Sequence, residues 1–217
     1  MLSMKINQYI SECLISVINS YNSFTTIFDC ANSHYSKGTV CYKCTPSNCH
    51  SHQWRINNDL LTEFATKVVN AEKDWSTAET FETLFEKLEG VYPRGNGIGR
   101  LVIYDTASRI TYIKYHHLRP KNEVYIHAGV YDGAVWLYKN GYITKKPKQN
   151  STIDIEDFNA LEFQQLFEVL NEEQYKGLTK SMILESFMCC MPNADTWSFC
   201  KKCRLQNKKK GCNTLSD

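Results

Sequence analysis

The sequence lacks three features that would place the protein in a special class. It has no apolar run near the ~18 residues that a membrane-spanning helix requires, so no membrane association is expected. Lys and Arg total 25 against 23 for Asp and Glu, and the net charge of +2 means that the chain is not a polycation. Residues 1–20 mix polar with apolar side chains and have no clear cleavage site, so they do not predict a secretory signal.

Internal repeats and low-complexity tracts are also missing. Of the 217 residues, 42% are hydrophobic and 22% are charged. This is an ordinary globular composition, which excludes wholesale disorder. The length fits one domain or two small ones.

Helical spacing of apolar residues dominates the pattern and predicts a mostly α fold. The predicted helices lie in 4–19, 57–71, 81–88, 154–170 and 178–188. The run Ser76-Thr77-Ala78-Glu79 predicts a capping box at the start of the third. Segments 101–113 and 124–137 are rich in β-branched and aromatic residues, so each fits either a helix or a strand.

Cysteine is unevenly distributed. The chain has ten cysteines, but none lies between His50 and Met188. Two separate clusters, each with a C-x-x-C, favour metal sites in a reducing, cytoplasmic compartment over a secreted disulfide scaffold, although disulfides and unligated thiols stay open as alternatives. The domain prediction follows these clusters: N-terminal helices with a Cys/His-rich loop over 1–76, a helical core over 77–188, and a Cys-rich basic loop over 189–217.

The C-terminal cluster reads Cys190-x9-Cys200-x2-Cys203-x8-Cys212. Four thiolates in a compact loop suit a zinc ion or an iron–sulfur cluster, and the adjacent Cys189 could replace Cys190. No acidic residue lies between Cys200 and Cys212, whereas lysines do. A basic loop of this kind predicts contact with a nucleic-acid backbone, and a solvated tail around a structural metal is the alternative. The lysines that we expect to bind nucleic acid are Lys208, Lys209 and Lys210.

The N-terminal cluster contains more candidate ligands than one zinc ion needs. Cys41 and Cys44 form the usual pair from a tight turn. Cys30 or His34, together with Cys49 or His50, would complete four ligands. The alternative is a reduced loop that binds no metal.

A glycine-rich break follows the predicted helix at 81–88. Residues 90–99 contain four glycines and Pro93, and Gly97-Ile98-Gly99 directly precedes the next apolar segment. Glycines at a helix start leave the first backbone amides uncovered, so they can hold a phosphate group. The residues predicted to bind nucleic acid here are Arg94, Gly95, Gly97, Gly99 and Arg100. Plain capping chemistry is the alternative.

This break resembles the helix–hairpin–helix element with which many DNA-repair proteins hold a backbone phosphate, although residues 92–96 add length to the hairpin. A glycine hairpin followed by a terminal C…C-x-x-C…C loop also resembles the helix–hairpin–helix DNA glycosylase superfamily of the endonuclease III type, over about 77–212. The resemblance implies a compact helical helix–hairpin–helix domain that binds DNA. It also implies a 4Fe–4S cluster, whose cysteine ligands in the family have a spacing near C-x6-C-x2-C-x5-C. The two outer gaps between cysteines are longer in this chain, at nine and eight residues, so zinc and an iron–sulfur cluster are equally good alternatives.

The resemblance does not extend to the family's catalytic groups. The family's lysine falls near Leu101, and its aspartate region aligns with residues 124–127, where Tyr125 stands. Neither side chain can form a Schiff base or stabilise a sugar cation. An enzyme would need a relocated group, for which Asp105, Asp132 and His127 are the candidates. The third hypothesis is a metal-stabilised interaction module without a nucleic-acid role.

Two further expectations concern polar residues near the hairpin. Asp105 and Arg109 are four apart and would form an ion pair on one helix face. His127 lies between apolar neighbours, which favours a hydrogen-bonded core histidine over a proton carrier. Segments 51–56, 104–110 and 124–134 resemble parts of uncharacterised bacterial proteins and suggest a small pocket. Its predicted lining is His52, Gln53, Arg55, Tyr104, Asp105, Arg109 and His127.

Overall fold

A computed structural model describes residues 1–32, 56–92 and 96–191. Over these residues the chain is mostly helical, which confirms the predicted fold class at that level. In chain order, the α-helices are α1 (Leu2–Tyr9), α2 (Ile15–Asn22), α3 (Ile27–Ala31), α4 (Asn58–Asn70), α5 (Glu72–Trp75), α6 (Phe81–Val91), α7 (Arg100–Ile113), α8 (Ala128–Lys139), α9 (Glu162–Glu168) and α10 (Lys180–Cys190). A π-helical turn, Ile10–Leu14, connects α1 to α2.

Two short strands accompany the helices. β1 (Glu123–Ile126) pairs with β2 (Ser151–Asp154) in an antiparallel register that runs from Glu123 opposite Asp154 to Ile126 opposite Ser151. The structure thereby resolves both ambiguous segments. Residues 101–113 lie in α7, whereas 124–137 begins in β1 and continues into α8. Short 3-10 turns lie at His116–Leu118, Ile155–Asp157, Val169–Asn171 and Glu173–Tyr175.

The chain forms two compact units. The first unit combines Met1–Ile18 with the described part of Pro120–Asp217, and the second is the described part of Asn19–Arg119. The second unit contains the glycine-rich hairpin, and the first contains both strands.

In the second unit, α6 and α7 pack through aromatic rings. Tyr104 of α7 meets Phe81 and Phe85 of α6 edge-on, at ring-centroid distances of 5.3 and 5.7 Å. Edge-to-face pairs stabilise such contacts by about 0.5–1.5 kcal/mol beyond area burial. Trp75 is fully buried, and its indole N–H donates to the Val68 carbonyl at 2.7 Å. The ring contacts hold together the two helices that flank the hairpin, and the Trp75 hydrogen bond joins α5 to α4.

The start of α6 corrects the predicted capping box. Thr80, rather than Ser76, is the N-cap, and its hydroxyl accepts a hydrogen bond from the Thr83 amide at 3.1 Å. Ser76 instead follows α5 as its C-cap residue. Both residues are suitable capping types, but only Thr80 directly precedes the apolar face that begins at Phe81.

In the first unit, α8 packs closely against α10. A Cβ built on Gly133 would lie 2.2 Å from the Met188 carbonyl oxygen, so only glycine permits this approach. Tyr9 of α1 is fully buried, and its hydroxyl donates to Ser186 Oγ of α10 at 2.9 Å. Burial raises the pKa of Tyr9 well above its usual value, so the group remains a neutral donor.

Within the ranges described, every helix is too short or too polar to cross a lipid bilayer.

Candidate functional site

The glycine-rich hairpin lies between two packed helices. α6 ends at Val91 and α7 begins at Arg100, with Gly99 as the N-cap residue. Ile98, between the two glycines, is buried, whereas Gly97 and Gly99 are exposed. Arg94 and Gly95 lie outside the described residues.

Gly97 is required by the backbone conformation. Its φ is +88°, in the left-handed region that side-chain-bearing residues rarely adopt. A Cβ at this position would also lie 2.6 Å from Leu60 Cδ2 of α4. Gly97 therefore sets the hairpin geometry and holds the turn against α4.

Gly99 differs from Gly97 because the fold does not require a glycine there. Its φ of −82° is ordinary, and a Cβ would meet no atom within 4 Å. As a glycine, it supplies no side-chain acceptor to the first turn of the 14-residue helix α7. Its carbonyl accepts from the Val102 amide at 3.0 Å. Because Gly99 is exposed, an external anion can approach the start of α7 from the glycine side.

Arg100 links the two helices of the hairpin. Its Nε lies 3.0 Å from Glu89 Oε1, and its guanidinium lies 4.9 Å above the Phe85 ring. Both partners belong to α6, so the side chain turns back across the hairpin. Arg100 thereby supports the relative position of α6 and α7, in addition to placing a cation near the hairpin.

A surface cleft of about 560 Å³ lies beside the end of α6. Lys67 Nζ on its rim lies 2.8 Å from Glu63 Oε1 and 4.7 Å above the Tyr92 ring. Lys87 donates to the Asp74 carbonyl at 3.1 Å. Both lysines have acceptors within the protein, so we assign no ligand to this cleft. The cleft is lined by Lys67, Asn70, Ala71, Asp74, Trp75, Lys87, Gly90 and Val91.

Asp105 and Arg109 form the predicted ion pair on α7. Arg109 Nη2 lies 3.7 Å from Asp105 Oδ2, and the two side chains are 3% and 7% exposed, respectively. Arg109 also donates to the Cys30 carbonyl at 3.0 Å and lies over the Phe24 ring at 4.9 Å. The pair connects α7 to α3 and the preceding turn, so its contacts are structural.

His127 is the N-cap of α8 and is buried. Its Nδ1 accepts from the Gly129 amide at 3.0 Å, and its Nε2 lies 2.6 Å from Glu185 Oε1 of α10. Because an amide can only donate, Nδ1 is the unprotonated nitrogen, and Nε2 donates to the carboxylate. The expected core histidine with hydrogen-bonded nitrogens is confirmed.

Glu185 was not singled out from the sequence. It lies in the mostly apolar stretch Met182–Met188 of α10. A single acidic residue in such a stretch is the sequence feature that could have identified it as a candidate. Its partner is 58 residues away in the chain, so spacing alone could not have paired them.

The other catalytic candidates are dispersed. Asp132 is exposed on α8 of the first unit. In the predicted pocket, Tyr104, Asp105 and Arg109 belong to the second unit and His127 to the first. His52, Gln53 and Arg55 lie outside the described residues, so the pocket stays a prediction.

The metal predictions fall mostly outside the described residues. Of the eight cysteines named as ligands, only Cys30 and Cys190 are described. Burial raises the pKa of the Cys30 thiol to about 12, which disfavours the thiolate that a metal requires. Cys190 is half-buried at the end of α10.

Among the described residues, no group of three or more His, Cys, Asp or Glu side chains is arranged for a metal ion. The cysteines outside the described residues are Cys41, Cys44, Cys49, Cys200, Cys203 and Cys212, as are the basic residues Lys208, Lys209 and Lys210.

Comparison of the chain with protein-family models, with curated proteins and with solved structures gave no match.

Proposed function

We propose that the protein binds the sugar–phosphate backbone of DNA, with residues 97–100 as the contact. The observation that supports this most strongly is the pair of exposed glycines, Gly97 and Gly99, directly before the start of α7. A helix start of this kind attracts anions through its amide groups and its dipole. At Gly99, where a Cβ would meet no atom within 4 Å, a phosphate group has room to approach the backbone closely, while Gly97 shapes the turn.

Binding through main-chain amides would tolerate any base sequence. Amides donate to phosphate oxygens, which are the same at each nucleotide, so these contacts position the DNA without reading it. In this proposal the hairpin is of the helix–hairpin–helix type. Arg94 and the Lys208–Lys210 run, which lie outside the described residues, would add positive charge that attracts the phosphates, and Gly95 belongs to the same glycine-rich hairpin.

Arg100 has a positioning role in this proposal. Its ion pair with Glu89 and its stacking on Phe85 hold α6 and α7 around the hairpin. Glu89 also offsets part of the positive charge near the site. The main-chain amides, rather than the guanidinium, are therefore the principal phosphate ligands.

The proposal is tested by the substitution Gly99→Asp. Aspartate is a favourable N-cap, and the position has room for a side chain. The carboxylate would accept from the first-turn amides and repel a phosphate. We expect the affinity for a short mixed-sequence duplex to fall about tenfold or more, while the midpoint of thermal unfolding stays the same or rises.

Gly99→Asn provides the matched control, because it places an amide of the same shape at the N-cap without the charge. It should weaken binding less than Gly99→Asp does. Fluorescence anisotropy with labelled duplex measures both affinities. An unchanged affinity in the correctly folded Gly99→Asp protein would refute the hairpin as the contact.

A metal centre stays part of the proposal on sequence grounds. Four thiolates from Cys190, Cys200, Cys203 and Cys212 fit either zinc or a 4Fe–4S cluster. The half-buried position of Cys190 at the end of α10 is compatible with a ligand role. When bound, such a group would stabilise the basic C-terminal segment.

A further inference from the structure

The segment between α8 and β2 combines exposed lysines with aromatic rings. Residues 139–148, which we call the lysine segment, contain four lysines and no acidic residue. All four lysines are exposed to solvent. They are Lys139, Lys145, Lys146 and Lys148.

The backbone of the lysine segment is anchored at both ends. At the first, Gly141 adopts a φ of +74°, and the Tyr142 amide donates to the Leu137 carbonyl at 3.0 Å. At the second, the Asn150 amide donates to the Ile126 carbonyl at 2.8 Å, and the Asn150 side chain accepts from the Tyr125 hydroxyl at 2.9 Å.

Two buried side chains fix the middle of the segment. Ile143 and Pro147 both point into the first unit, which leaves the lysines between and around them at the surface. The charged groups are therefore held on an ordered backbone, which lowers the entropy lost when a ligand binds.

The charges of the segment are only weakly compensated nearby. Lys145 lies 4.0 Å from Asp154, and both side chains are about half exposed at 49% and 58%. Exposed pairs of this kind contribute about 0–1 kcal/mol and are screened by salt. Asp157 accepts from the Thr144 hydroxyl at 3.2 Å. The segment thus keeps an excess of positive charge.

Aromatic residues are close to these lysines in the sequence. Trp136 stacks on Tyr142 with ring centroids 5.7 Å apart and planes 17° apart, and Lys5 lies 5.0 Å above the Trp136 ring. Tyr138 is 38% exposed. Lysines mixed with aromatic rings suit nucleic acid, since phosphates pair with the ammonium groups and bases stack on rings.

We infer that the lysine segment is a second nucleic-acid contact, located on the first unit and separate in sequence from the hairpin. This inference rests on the proposed function for its choice of ligand. In this inference the lysines bind the phosphate backbone, and the exposed Tyr138 ring is the one offered to a base.

The test is the quadruple variant K139Q/K145Q/K146Q/K148Q, measured with short single-stranded and duplex DNA over about 50–200 mM salt. We expect affinity to fall about tenfold or more at low salt, and the plot of log affinity against log salt to lose about 0.7–0.9 of slope for each phosphate contact removed. The control K73Q/K121Q/K176Q/K180Q removes the same charge from exposed lysines elsewhere and should bind nearly as the wild type does.

The outcomes separate this inference from the hairpin proposal. If Gly99→Asp leaves binding intact but the quadruple variant weakens it, the hairpin fails and the lysine segment stands. If the quadruple variant binds as its control does, or loses only its affinity for anionic phospholipid vesicles, the inference is refuted. Circular dichroism of both variants confirms that they are folded.

Discussion

At the residue scale, two carboxylates pair with cationic or hydrogen-bonding side chains that are almost fully buried. Asp105 pairs with Arg109 inside the second unit, and Glu185 accepts from His127 inside the first. Removal of one partner from a buried pair leaves the other uncompensated, which is strongly destabilising. Asp105 and His127, two of the three catalytic candidates, therefore both make packing contacts within their own units.

Asp29 provides a residue-scale prediction about pH. It forms a capping box with Thr26 at the start of α3, and Thr25 also donates to its carboxylate at 3.0 Å. Partial burial favours the neutral acid, but the hydrogen bonds from Thr26 and Thr25 outweigh it and lower the pKa of Asp29. Because the pKa of Asp29 is lower in the folded than in the unfolded protein, the ionised carboxylate stabilises the fold. This contribution is complete at pH values above the pKa of the unfolded chain, about 4, and is lost as the pH falls through the pKa of the folded protein.

Asp29→Asn should therefore cost up to about 1 kcal/mol of unfolding free energy at neutral pH, because it weakens the capping box and removes a negative charge from the first turn of α3. The difference from the wild type should shrink as the pH falls below about 4. Urea unfolding over a pH series measures it. A difference that stayed constant down to the acid limit would contradict the role assigned to the ionised carboxylate.

At the element scale, close approach of helices depends on single glycines. Gly133 lets α8 approach the backbone of α10, whereas Gly90 in α6 meets no atom within 4 Å of its built Cβ. Replacement of glycine by alanine is therefore expected to change the stability of the protein in opposite directions at these two positions.

Gly133→Ala should destabilise the protein by about 1–3 kcal/mol, because the added methyl overlaps the Met188 carbonyl. Gly90→Ala should stabilise it by up to about 1 kcal/mol through helix propensity. Thermal and urea unfolding of both variants measure the two effects. Equal effects of the same sign would show that packing between α8 and α10 does not require Gly133.

Helices were the part of this fold most accessible from sequence. The apolar spacing over 57–71 predicts α4 to within a residue or so, because one face of that helix is buried. The start of α6 was missed since Ser76 and Thr80 are equally good capping types. A strand was one of two alternatives for the segment that contains β1, whereas β2 was not predicted, since both strands are short and their residues pair across 25 positions or more. In the candidate site, the spacing of the hairpin glycines was enough to identify them from the sequence. The Arg100–Glu89 and His127–Glu185 contacts could be found only in the folded structure.

At the scale of the whole molecule, the net charge is only +2, but positive and negative residues are concentrated in different segments. The lysine segment has four positive charges on the first unit, while α6 contributes Glu82, Glu86 and Glu89 to the second. The proposed DNA binding would therefore depend on where the charges lie rather than on the net charge.

The whole protein should also contain bound metal if the cysteine prediction is right. Native mass spectrometry of protein purified under reducing, oxygen-free conditions should show added mass for zinc or for a 4Fe–4S cluster, and only the cluster would give a brown sample. Substitution of Cys200 and Cys203 by serine should remove the added mass. Metal-free wild-type protein in which Cys200, Cys203 and Cys212 all react with a thiol reagent would contradict the prediction.

The central claim is that main-chain amides at the start of α7 bind a DNA phosphate. The most direct measurement is a titration of isotope-labelled protein with a short duplex, followed through the backbone amide resonances. We predict that the largest shifts occur over residues 97–102, and that they reverse on addition of salt and are absent in Gly99→Asp. Saturation by DNA without shifts at these amides would contradict the account.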